Sequence, residues 1–290
     1  MFLGKPTDRI EMRYGSVAFW LFNSMNRVAY RSGFREESAF SVYFLPEVRP
    51  TVDVHVLFLA AVKPGISYSF IHNAINLISR SAGHFRRVDV VFDSSGPRPP
   101  EGRSHPYRQE AFAAIRQQMV DKYLAAHDFC IVFDVDIVDL SEDVILKLVT
   151  RCAGGIVAPL VFKRGPNTSA NVASWPAGDF YDVAGFVENG RWARHHSPWF
   201  RQRGPVYDLD SVGALYCVDS HIFKRGARYV PDAGATQLVN INYSGTTRDL
   251  IEANMNTPAN CFTEHYSICQ WALRNGYFVR AYEDCLALHS

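Results

Sequence analysis

Cysteine is scarce in this chain of 290 residues: Cys130, Cys152, Cys217, Cys261, Cys269 and Cys285 are scattered, with no CxxC pair among them. That scatter excludes a dense disulfide framework, and the mostly apolar surroundings predict small, buried, reduced thiols and hence a cytosolic chain. Surplus charge is also missing. Thirty basic residues stand against 29 acids, which excludes a whole-chain pull toward nucleic acid or anionic membrane, so any basic site must be local. No apolar run is long enough to span a bilayer, and the first residues lack the charged, apolar and small-residue blocks of a signal peptide. Repeats and low-complexity stretches are absent too. What is present, 48% hydrophobic and 20% charged residues, suffices for a full globular core.

The most informative stretch is CIVFDVDIVDL, from Cys130 to Leu140. Cys130 to Phe133 has the length and apolarity of a buried parallel strand, and such strands carry ligand sites at their carboxyl ends, where Asp134 and Asp136 fall. Two carboxylates there repel each other unless a hard cation joins them, and such a cation usually completes its shell with phosphate oxygens. The bland alternative is an acidic turn capping the next helix. Asp139 and Ser141 already offer caps, and Glu142 and Asp143 suit the first helical turn, which leaves Asp134 and Asp136 without a structural task.

Residues 1–50 read as an irregular, arginine-dotted extension packing on a main domain of residues 51–290. Within it, Ser16 to Arg31 could form an amphipathic helix, packed on the main domain or lying on a membrane surface. From Val52 the pattern is regular. VDVHVLFLA reads as a strand, residues 66–83 as a helix closing on Gly83, and RRVDVVFDSSG as a strand. Residues 108–127 then read as a helix, CIVF as a strand, SEDVILKLVTRCA as a helix and GGIVAPLVF as a strand. This alternation predicts an α/β fold with a mostly parallel sheet and helices on both faces. It breaks from Lys163 to Pro205, a stretch holding Trp175, Trp192 and Trp199, and again from Arg228 to Cys261; long irregular segments of this kind are usually functional. Between the two breaks, VGALYCVDSHIFKRG reads as a strand and a short helix. Glu264 to Asn275 reads as a helix ended by Gly276, followed by the last strands.

Taken in order, these motifs resemble the GT-A glycosyltransferases, nucleotide-sugar enzymes with a Rossmann-like sheet and long acceptor-side loops. The resemblance runs from Val52 to His289. FDVD looks like the family's D-x-D, and FDSSG like its nucleotide-binding edge, with Asp93 toward base or ribose. IRQQMV is similar to the Arg-bearing helix, with Arg116 beside the nucleotide. DSVGALYCVDSHIF looks like the glycine loop behind the donor, with Asp210 and Gly213. TEHYSICQWALRNGY resembles the acidic helix near the acceptor, led by Glu264. LALHS matches the late histidine, His289, of the metal shell. D-x-D, YDV at Tyr181, DSVGA and the E-H helix together look loosely closest to the yeast Golgi-type alpha-mannosyltransferases, from which the chain departs at His265.

The resemblance implies a hexosyltransferase. Asp136 and His289 would hold manganese, or magnesium, on the diphosphate of a GDP- or UDP-sugar, with Asp134 reaching the ion through water or holding the ribose. Arg201 and Arg203 would close over the diphosphate. Retention and inversion stay open; if the reaction inverts, Glu264 would be its base, with His265 sharing or orienting it. The acceptor would be a glycan or glycolipid, as in assembly of a cell-surface polysaccharide at the inner face of a membrane. Two other readings use the same residues: a HAD-like phosphatase with Asp134 as nucleophile, and an inactive glycosyltransferase-like binding subunit. Sugar-nucleotide synthesis is a further option, but LAAVKPGIS is poor in the glycine that its loop needs.

Overall fold

Five successive apolar residues, Val56 to Ala60, can all be buried only in a strand covered on both faces, and the fold places them in the middle of its sheet. The computed structural model describes residues 9–14, 17–20, 39–45, 49–62, 66–93, 105–163, 205–209, 211–230 and 264–290; for 9–20, 39–41, 68, 105–110 and 163 it describes the backbone alone. In chain order the elements are β1 (Arg9–Tyr14), β2 (Val17–Trp20), β3 (Ala39–Leu45), β4 (Val52–Ala61), α1 (Tyr68–Ala82), β5 (Phe85–Asp93), α2 (His105–Tyr123) and β6 (Phe129–Phe133). There follow β7 (Ile137–Leu140), α3 (Val144–Arg151), β8 (Gly155–Lys163), β9 (Val206–Asp208), β10 (Leu215–Asp219), α4 (Ser220–Lys224), α5 (Glu264–Arg274) and β11 (Phe278–His289).

These strands form one 11-stranded sheet in the order β2-β1-β3-β5-β4-β6-β10-β8-β11-β7, with β9 on β11. In its centre β5, β4, β6, β8 and β11 run in one direction, and β10 is inserted in reverse between β6 and β8. The sheet is therefore mostly parallel at its heart and antiparallel at its margins. Side-chain alternation splits the interior into two layers. Val56, Phe58, Ile131, Phe133 and Leu215 face α1 and α3, whereas Leu57, Leu59, Val132 and Tyr216 face α2, α4 and α5. Each fully buried phenylalanine of the first layer, such as Phe58 or Phe133, contributes about 1.5–3 kcal/mol over its exposed state. Gly155 opens β8 against the Phe278 ring, where a Cβ would come to 2.4 Å.

Three expectations change. The segment before Val52 is not wholly irregular: β1, β2 and β3 extend the sheet through β5, and Val17–Trp20 is a strand where an amphipathic helix was expected. Between the aspartates and the helix expected from Ser141 the chain forms β7, because Ile137 and Leu140 are buried and pair with the end of β11. The expected caps serve elsewhere. Asp139 accepts from the Leu140 amide and pairs with Arg80, Ser141 Oγ accepts from the Leu286 amide, and Asp143 precedes α3 at φ 56° with no side-chain cap bond. Gly276 does end α5, at φ 82°, with the Tyr277 amide returning to Ala272. Most of the two irregular stretches, with Tyr181, the three tryptophans, Arg201 and Arg203, lies outside the described residues, as does Asp210. No helix among the described residues is long and apolar enough to cross a membrane. Cys130, Cys152, Cys217, Cys269 and Cys285 are buried free thiols.

Candidate active site

Strand β6 ends at Phe133, and the chain turns at once: the Ile137 amide donates to the Asp134 carbonyl at 3.0 Å, putting both aspartates on a tight corner. The corner is fixed from two sides. The Asp134 amide donates to the Ala214 carbonyl (2.9 Å), which seats the loop containing Gly213 against it, and the Ser290 amide donates to the Asp136 carbonyl (3.0 Å). Strand β11 delivers His289 to the same corner through its pairing with β7 and β8. Nε2 of His289 lies 3.1 Å from Asp136 Oδ1, and one ligand atom each from Asp134, Asp136 and His289 fall within 4.8 Å of one another.

Two oxygens and one imidazole nitrogen at that spacing could hold a divalent metal ion. The second ring nitrogen of His289, Nδ1, sits 3.1 Å from the Ser290 carbonyl, the kind of outer contact that fixes a ligand's tautomer and leaves Nε2 to the ion. Burial opposes charge on His289, but the Asp136 carboxylate, the Ser290 carbonyl and Asp134 together outweigh it and raise the imidazole above its ordinary 6.5.

Beneath this group lies a second, buried one. Arg116, on α2, is 7% exposed and forks between two acids, Nη1 donating to Glu264 Oε1 at 2.8 Å and Nη2 to Asp134 Oδ1 at 3.1 Å. Burial alone would lower the guanidinium below its ordinary range, but Glu264 and Asp134 outweigh it and hold the charge more firmly than usual. Glu264 begins α5 and is itself buried, with His265 Nε2 3.5 Å from the same Oε1. Tyr216 of β10 meets His265 Nδ1 at 2.9 Å and Tyr229 at 2.6 Å. Burial pushes both phenols well above 10, so they keep their protons. Both contacts are satisfied when Tyr229 donates to Tyr216 and Tyr216 donates to His265, leaving Nε2–H aimed at Glu264.

The structure therefore brings Asp134, Asp136, His289, Arg116, Glu264, His265 and Gly213 to one end of the sheet. Asp93 stands at the carboxyl end of β5, 1% exposed, with the Tyr123 hydroxyl donating to it at 3.4 Å. Tyr216 and Tyr229 were not expected in the site. No spacing in the sequence ties them to His265, because the three meet only after β10 is laid beside β6.

Burial, and then the nearby Arg116 charge, lower His265 well below 6.5. The unfolded chain takes up a proton below that value which the folded one refuses, so this group's contribution to stability is full above pH 6.5 and declines as the pH falls beneath it. The raised His289 acts in the opposite sense. His265→Asn isolates the first effect: the unfolding free energy of the parent minus that of the variant is expected to shrink below pH 6.5 by up to about 1.4 kcal/mol per pH unit. Urea titrations from about pH 7 to about pH 5 measure it, and a difference that stays constant would rule it out.

No protein-family model matches this chain. No curated protein matches it either. Among solved structures it is similar to GalNAc-T7 with UDP, GalNAc and Mn2+, at a TM-score of 0.48 and 11% identity over 81% of this chain. The match spans 43% of that longer protein.

Proposed function

We propose that the chain is a metal-dependent glycosyltransferase of the GT-A type, moving a sugar from a nucleotide-diphosphate sugar to a hydroxyl of a glycan or glycolipid. The observation that carries this reading is the convergence of Asp134, Asp136 and His289 at the carboxyl end of the central strands. Manganese or magnesium held there would neutralise the diphosphate leaving group as a Lewis acid. Asp136 and His289 are its ligands in this reading. Asp134, fixed through one oxygen by Arg116, reaches the ion or the ribose with the other. Gly213 lets the loop before β10 lie close behind the donor, and Asp93 takes the base or ribose side with Tyr123. Asp210, Arg201 and Arg203 belong to the same proposal, as donor contacts and as a lid.

Glu264 was expected to take the acceptor proton. A carboxylate ion-paired at 2.8 Å with a buried guanidinium is a weak base, and we assign it instead to holding Arg116, with His265 orienting it. The donor is taken to be a UDP- or GDP-hexose, and the setting glycan assembly at the inner face of a membrane.

Thermal unfolding with UDP, GDP, CMP and dTDP nucleotides, each with and without manganese, tests the proposal. The expected result is a base-selective, manganese-dependent rise in Tm, equivalent to about 2.7 kcal/mol at a hundredfold excess over Kd. No shift with any nucleotide would overturn it.

A further inference from the structure

We propose that Arg116 is a positioning residue that also sets the charge of the metal site, so that tight binding of a divalent ion requires the diphosphate. The proposal deepens the glycosyltransferase reading and rests on it. Among the described residues, Asp134, Asp136 and Glu264 are three carboxylates joined to this group by ion pairs, and Arg116 is a cation set among them, bonded to Asp134 and Glu264 at once. Its position is not one that a mobile side chain samples. The guanidinium is buried, α2 carries it, and Glu264 on the far side is braced by His265, Tyr216 and Tyr229.

Three carboxylates against one guanidinium leave two negative charges, just matching a divalent ion. The balanced site holds the ion with no surplus attraction, because the fixed positive charge beside Asp134 offsets one of the carboxylates. A diphosphate adds anionic oxygens that attract the ion beyond this balance, so ion and nucleotide bind cooperatively, each raising the affinity of the other by the same factor. Without Arg116 the carboxylates alone would over-satisfy the ion, and an incoming diphosphate would meet repulsion.

The test is isothermal titration of the full chain with manganese, alone and at saturating nucleoside diphosphate, for the parent, Arg116→Met, Arg116→Lys, Glu264→Gln and Arg116→Met with Glu264→Gln. In Arg116→Met, manganese alone is expected to bind at least tenfold tighter, and its coupling to the diphosphate to fall at least tenfold. Arg116→Lys keeps the charge and should keep most of the coupling. Glu264→Gln leaves Arg116 in place with one negative charge fewer, so manganese alone should bind at least tenfold more weakly. The double variant restores the net charge and should return close to the parent. Unchanged manganese affinity and coupling in Arg116→Met would overturn the inference, as would weaker manganese binding there, the outcome of a purely structural role. Should Arg116→Met fail to fold, Glu264→Gln and the double variant decide it. A parent that binds neither manganese nor diphosphate would instead sink the glycosyltransferase reading itself.

Discussion

Asp136→Ala is expected to abolish manganese-dependent nucleotide binding and to lower sugar transfer by about three orders of magnitude, equivalent to about 4 kcal/mol of transition-state stabilisation. The size follows from what the carboxylate faces. Its Oδ1 lies 3.1 Å from His289 Nε2, within the group of three ligand atoms, and its backbone carbonyl is held by Ser290. Alanine keeps that backbone bond and the corner, so the variant should fold while His289 loses its anionic partner. Asp139→Ala is the control. It removes a nearby carboxylate whose partner, Arg80, is largely exposed, and a loss within about 1 kcal/mol of stability is expected, with transfer unchanged. Metal-dependent turnover that survives Asp136→Ala would show that the ion binds elsewhere or is not needed.

Arg116→Met should destabilise the fold by about 3–5 kcal/mol in urea unfolding at neutral pH, among the largest effects available to a single substitution here. Methionine fits the space of the arginine stem but supplies no charge, leaving Glu264 buried without its guanidinium. The penalty comes from that stranded carboxylate more than from the bonds lost. Adding Glu264→Gln should therefore recover a large part of it, because a neutral amide costs much less to bury. If the double variant is no more stable than the single one, the loss belongs to packing around α2 and not to the ion pair.

The two aspartates were legible because a buried strand that stops at carboxylates has few purely structural explanations. The central strands were legible for a similar reason, since a run such as Val56 to Ala60 is apolar at every position and fits only a doubly covered strand. The reversal of β10 was not, because strand direction leaves no mark on a short apolar run. Nor was β7: Ile137 to Leu140 is only four residues, and its strand character comes from pairing with β11, almost 150 residues along the chain. The contacts of Arg116 with Asp134 and Glu264 were hidden for the same reason. Arg116 and Glu264 are 148 positions apart, and a helix led by an acid reads identically whether that acid caps a dipole or holds a buried guanidinium.

Strand β11 carries an irregularity between Tyr282 and Leu286, after which its pairing with β8 resumes in shifted register. The bulge is itself tied down, with Asp284 paired to Arg151 at 2.6 Å and Cys285 fully buried in the core. His289 is aligned with Lys163 on one neighbour and Ile137 on the other, not by counting from α5. The place of the histidine is therefore set by its strand partners together with an anchored bulge, and not by the length of chain that separates it from the acidic helix.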